Sequence, residues 1–129
     1  MDNLLTAPKE SIIWQDEDVY ICLASFPITR GHTIVVWKKR LDDIHLLERK
    51  DFLHLMDLVE KTRNLLLSNY LVEKVYLLYL DEIKHVHWHL VPRYEESGFN
   101  FLKEDPEKIT NFDDVINLRL MTSRFSVDS

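Results

Sequence analysis

The chain has 129 residues, 46% of them hydrophobic and 11% aromatic, enough apolar material for one globular unit with its own core. A net charge of −6 disfavours binding to the backbone of duplex nucleic acid, which needs clustered Lys and Arg, and the single cysteine, Cys22, rules out an internal disulfide. No apolar run approaches the ~20 residues that cross a bilayer, and no charged n-region with an apolar h-region opens the chain, so a reducing cytoplasmic setting without a membrane partner is expected.

Residues 1–10 carry no periodicity and read as a loose lead-in. Ile12-Ile13-Trp14 is a short apolar run, Gln15-Asp16-Glu17-Asp18 a polar turn, and Val19 to Ala24 a second strand, which together predict a first hairpin. Cys22 lies inside that strand and reads as a small core residue rather than a nucleophile. After Pro27 a connection ends at Arg30-Gly31-His32, and Thr33-Ile34-Val35-Val36-Trp37 predicts a third strand from its β-branched and aromatic residues. Lys38-Lys39-Arg40, followed at once by Asp42-Asp43, reads as a solvated turn. Gly31 and Gly98 are the only glycines, so neither a Walker-type loop nor a Gly-x-Gly-x-x-Gly turn is present and any phosphate must be held largely by side chains.

Leu41 to His45 is a short connection or helical turn, and from about Glu48 to Tyr70 the period becomes helical. Phe52, Leu55, Met56, Val59 and Leu66 form one stripe, which predicts a long helix covering the sheet. His45 and His54 in this region read as ordinary, partly exposed residues. Glu73 to Leu80 contains Val75 to Leu80, apolar on both parities, which predicts a strand that is central or covered on both sides. Asp81 to Lys84 turns the chain into the next strand, forming an antiparallel hairpin whose outer member is that next strand. Beyond it, Tyr94 to Phe99 reads as a loop and Glu104 to Lys108 as a charged stretch. Ile116, Leu120 and Met121 predict a docking helix over about Asp113 to Arg124, with an acidic start that suits the helix dipole.

The stretch His85-Val86-His87-Trp88-His89-Leu90-Val91-Pro92-Arg93 alternates strictly. On a strand, His85, His87 and His89 share one face, and Val86, Trp88 and Leu90 point to the core. A merely solvated face would explain polarity but not three of the chain's six histidines. A metal site is a second reading, since neutral imidazole suits zinc. At about 3.3 Å per residue, however, His85 and His89 stand roughly 13 Å apart, so one ion takes two adjacent members but hardly three. A ligand with several charged oxygens in a line, such as a phosphate chain, suits the row better.

These residues resemble the signature of the histidine triad family, and all seven positions from His85 to Val91 match it. Gly31-His32 ahead of an apolar strand is similar to the family's second recurrent segment. The resemblance covers most of residues 10–93 in layout and is specific only at Gly31-His32 and His85 to Arg93. It implies an α+β fold: an antiparallel sheet of about five strands with one long covering helix and a C-terminal helix, in a single domain whose core is residues 11–93 and whose residues 94–129 form a loop and helix. It further implies a nucleotide hydrolase or nucleotidyl transferase acting on a nucleoside phosphate ester, polyphosphate or phosphoramidate through a nucleotidyl-histidine. His87 is the implied nucleophile, oriented by the His85 carbonyl. His89 contacts the transferred phosphate and leaving atom, and His32 and His85 bind substrate, with no metal or cofactor required. A homodimer formed through the strand after the helix is also implied.

The chain departs from the family pattern at Ala24, where a residue binding ribose hydroxyls is expected, and at Asp81-Glu82, where phosphate-contacting side chains are common. These departures keep two alternatives open, a nucleotide-binding protein without turnover and a metal-dependent hydrolase. Base, phosphate number and leaving group are not legible.

Overall fold

The computed structural model describes residues 7–95 and 106–125. Five strands form one antiparallel sheet in the order β1-β2-β3-β5-β4: β1 is Ile12–Gln15, β2 Val19–Leu23, β3 Thr33–Trp37, β4 Lys74–Leu78 and β5 His87–Arg93. The first hairpin forms as expected. Its turn is held by Asp16, whose Oδ1 accepts from the amides of Asp18 and Val19, both at 2.8 Å, while Oδ2 lies 2.7 Å from His54 Nε2.

The long helix α1 runs Arg49–Tyr70 and the C-terminal helix α2 runs Asp114–Met121, followed by a 3-10 turn at Thr122–Arg124. One face of the sheet, with Ile13, Val19, Ile21, Leu23, Val35 and Leu90, packs on Leu55, Leu58, Val59, Leu65 and Leu66 of α1. Each fully buried leucine contributes on the order of 1.5–3 kcal/mol. Phe52 and Met56, both in the predicted stripe, sit half-buried at its margin, and Leu58, Thr62 and Leu65 complete the buried face instead.

Four expectations are corrected. The strand after the helix is shorter, Lys74–Leu78, and lies at the edge of the sheet rather than at its centre, with Lys74 and Leu77 exposed. The histidine-bearing strand is the inner member of that pair, hydrogen-bonded to β3 on one side and β4 on the other. Trp88 is half-buried against Tyr79, with ring centroids 5.2 Å apart, whereas Val86 and Leu90 are fully enclosed. In α2 the docking face is Val115 and Leu118, continued by Phe125, because these three meet β1 and α1; Ile116 and Leu120 are 70% and 71% exposed. The helix docks on its own chain. The calls on residues 1–6, on Glu96 to Phe99, on Glu104 to Asp105 and on residues 126–129 lie outside the described residues.

Among the described residues no helix is long and apolar enough to cross a membrane. Cys22 is buried and its thiol is pushed up to about 12, chiefly by that burial, which leaves it without nucleophilic character at neutral pH.

Candidate active site

The register of the sheet decides which side chains share a face. Val36 pairs with His87 and Ile34 with His89, and on the other side of β3 Tyr20 pairs with Val36 and Cys22 with Ile34. His87 and His89 therefore stand on the face opposite α1, beside a small apolar cluster of Tyr20, Cys22, Ala24, Ile34 and Val36.

His32 reaches the same place from the loop before β3. That loop closes through Ala24 N–H to His32 O (2.8 Å) and His32 N–H to Thr29 O (3.1 Å). Gly31 within it has φ +89°, and a Cβ there would meet the Tyr70 ring at 2.5 Å, so both backbone and space require glycine.

His32, His89 and His87 form a continuous row. His32 Nε2 lies 2.9 Å from His89 Nδ1, and His89 Nε2 lies 3.1 Å from His87 Nε2. The His87 and His89 rings meet edge to face at 73°, an arrangement that aims a ring nitrogen rather than stacking the planes. His85 stands apart. β5 begins at His87, and the preceding two residues bond to the chain leaving β3, with His85 Nε2 2.6 Å from Trp37 O and Trp37 N–H donating to Val86 O at 3.1 Å. The His85 ring is buried, and what it gives the row is its carbonyl, 2.6 Å from His87 Nδ1.

Backbone groups at the two ends settle every proton in this row. A neutral imidazole has one N–H and one lone pair. Ile28 N–H donates to His32 Nδ1 at 3.0 Å, so the proton of His32 is on Nε2 and donates to His89 Nδ1. His89 then carries its proton on Nε2, directed at His87. A carbonyl can only accept, so His87 holds its proton on Nδ1 toward His85 O and its lone pair on Nε2.

The rings are neutral at neutral pH. Burial lowers His32 to about 3, with His89 adding to the shift, and burial lowers His89 to about 4, with His87 adding. His87 is lowered too, by burial first, while the bond to the His85 carbonyl and the charges of Asp81 and Glu82 oppose it. The row was expected over an open face. Instead His32 and His87 are each only 3% exposed, because the rings cover one another and the loop before β3 covers His32; His89 is half-buried and is the accessible member.

Ala24 and His32 also line a cavity of about 490 Å³ whose apolar walls include Leu23, Ile28 and Phe112 and whose rim carries Asn111 and Asp113. Among the described residues no set of three or more His, Cys, Asp or Glu side chains is arranged to hold a metal ion. Arg30, Tyr70 and Asp114, joined behind the His32 loop, carried no signal in the sequence, since Asp114 lies 84 residues from Arg30 and 44 from Tyr70.

An uncharacterized HIT-like protein of Methanocaldococcus jannaschii is 29% identical over 110 residues, covering 81% of this chain and 84% of that protein. Among solved structures, the Zn-bound histidine triad family protein from Mycobacterium smegmatis superposes with a TM-score of 0.73 at 18% identity, over 99% of this chain and 95% of that one. The diadenosine triphosphate hydrolase of Plasmodium falciparum does so with a TM-score of 0.68 at 13% identity, over 91% and 79%. A profile of the HIT domain matches residues 6–96, which carry all five strands, α1 and the whole histidine row, and on that match the chain belongs to the HIT domain family.

Proposed function

We propose that this protein cleaves a nucleoside phosphate ester, polyphosphate or phosphoramidate by transferring the nucleotidyl group to His87 and then to water or another acceptor. The observation that carries the reading is the 2.6 Å contact of His87 Nδ1 with the His85 carbonyl, which leaves the lone pair on Nε2. That lone pair forms a bond to phosphorus, and the P–O or P–N bond to the leaving group breaks with its electron pair departing on the leaving atom. Before attack, His89 Nε2–H must turn from His87 to the substrate, where it donates to the atom on which charge develops. Water then attacks phosphorus and releases a proton to solvent, the P–N bond breaks, and the lone pair returns to His87. His32 fixes the tautomer of His89, and His85 supports the row through its carbonyl.

The cavity beside His32, within the range of about 300–1,000 Å³ usual for small-molecule sites, suits a nucleoside. The HIT family membership and the diadenosine triphosphate hydrolase among its structural relatives support a nucleotide substrate. A homodimer joined through β4 and a cytoplasmic location belong to the same reading. A nucleotide-binding protein without turnover is the second reading, favoured by Ala24 at the cavity wall and by the carboxylates of Asp81 and Glu82 acting on His87.

Incubation with a dinucleoside polyphosphate and with adenosine phosphoramidate tests the proposal. Product formation that His87→Gly abolishes in a protein that still folds is expected, with a phosphorus adduct on His87 trapped by acid-free quenching. Saturable binding with no product from either compound, unchanged by His87→Gly, would establish the second reading.

A further inference from the structure

We infer that Asp114, on the C-terminal helix, is a positioning residue for the histidine row, holding in place the loop that supplies Ile28 N–H and His32. The inference rests on the reading of that row as the reaction centre.

His32 owes its tautomer to one amide, Ile28 N–H, and that amide sits on the segment between β2 and β3. One carboxylate receives three of the hydrogen bonds that fix the segment from behind. Asp114 Oδ1 accepts from Arg30 Nη2 at 3.0 Å, and Oδ2 accepts from Arg30 Nε at 3.2 Å and from Tyr70 Oη at 2.7 Å. Arg30 precedes Gly31 in the chain, and the Tyr70 ring presses on Gly31 in space, so the carboxylate grips the residue before His32 from two sides. The Arg30 guanidinium also lies 5.7 Å over the Tyr70 ring. Thr29 Oγ1 to Pro92 O (2.6 Å) and Tyr94 Oη to Arg30 O (2.7 Å) tie the same loop to the end of β5. The loop is thus set against both the helix behind it and the strand that bears His87 and His89.

An ion pair whose Arg side chain is 74% exposed is screened by solvent and stabilises a fold little, so stability is a poor account of this cluster. Geometry is a better one. Once the carboxylate is gone, Arg30 and Tyr70 no longer hold Gly31, the Ile28 amide leaves His32 Nδ1, and either nitrogen of His32 can carry the proton. His89 then loses its fixed Nε2–H, although His87 keeps its bond to the His85 carbonyl.

The test uses the full chain with labelled histidines. Long-range proton–nitrogen spectra of wild type at pH 7 should show His32 and His89 in the Nε2–H form and His87 in the Nδ1–H form. In Asp114→Asn the signals of His32 and His89 should move to values averaged between tautomers while His87 stays. Against a nucleotide substrate kcat should fall about 10- to 100-fold with KM changed by less than about threefold, and Asp114→Glu should recover much of the loss. Asp57→Asn, which breaks the Lys61–Asp57 pair within α1 at an exposed carboxylate, should alter neither.

Should Asp114→Asn fail to fold, Arg30→Met with Tyr70→Phe removes the same three donors while leaving the start of α2 intact. A folded variant of either kind whose His32 and His89 keep their wild-type tautomers overturns the inference, whatever its activity. The spectra do not depend on turnover, so failure to cleave any nucleotide would count against the proposed reaction and leave this test standing.

Discussion

A buried imidazole that is kept neutral by its surroundings makes folding sensitive to acid, and this chain has such rings in contact. His32 titrates near 3 and His89 near 4, both below the ordinary 6.5, and in each case burial is the main cause. Above pH 6.5 these rings are neutral whether the chain is folded or not, so their contribution is fully present there. As the pH falls below 6.5 the unfolded chain binds protons that the fold refuses, and stability declines progressively toward pH 4 and then 3. At about 1.4 kcal/mol per unit, His89 alone accounts for a loss on the order of 3 kcal/mol. The Asp114 carboxylate, held low chiefly by Arg30, acts mainly below its ordinary 3.8, so the decline above pH 4 belongs to the rings and only the last part of the His32 window overlaps it. Urea midpoints should therefore fall between pH 6.5 and 4 in wild type, and His32→Gln should make that slope shallower. A midpoint constant across this range would show that the rings are not buried neutral.

At the scale of elements, the short C-terminal helix is where packing direction matters most and sequence helps least. Leu118 is fully enclosed against β1 and α1, so Leu118→Ala should cost about 2–5 kcal/mol in chemical denaturation. Ile116→Ala and Leu120→Ala should each stay within about 0.5 kcal/mol of wild type. Equal losses at Leu118 and Leu120 would mean that α2 is rotated from the orientation described. Eight residues give barely two turns, and over that length Val115 and Leu118 fit a helical stripe as well as Ile116 and Leu120 do. The pattern predicts the helix but leaves its phase open. α1 is legible because its 22 residues repeat the period six times, and even so its stripe is displaced toward Leu58 and Leu65. β4 misleads for a different reason, since apolar residues on both parities suit a central strand and equally an edge whose outer side is covered by something else. The histidine strand is legible from strict alternation together with residue identity. The position of His85 is not, because a ring turned under Trp37 O obeys the same alternation as one turned to the site. The clamp of Arg30, Tyr70 and Asp114 exists only once the chain has folded.

For the molecule as a whole, the two edges of the sheet are treated differently. The β1 edge is closed by its own chain: α2 packs on it, and Arg119 donates to the carbonyls of Ile12 at 2.8 Å and Lys9 at 3.2 Å. At the other edge of the sheet stands β4, paired with β5, and beside it Leu77, Leu80 and Leu71 are exposed, the last of them 88%. An edge strand flanked by exposed leucines is a surface that proteins either blunt with charge or pair with another strand. Lys74 is the charge within the strand, at its first residue, and the strand ends in Leu77 and Leu78. Pairing of β4 with β4 of a second copy would cover Leu77 and extend the sheet symmetrically, without touching the histidine face. Sedimentation equilibrium should then give twice the chain mass of 15.5 kDa at micromolar concentration. Leu77→Lys combined with Leu80→Lys should shift the mass toward one chain while the three histidine tautomers persist. Wild type that sediments as a single chain up to millimolar concentration would rule out this mode of pairing, and loss of the tautomers in the lysine variant would show that the edge supports the site as well as the dimer.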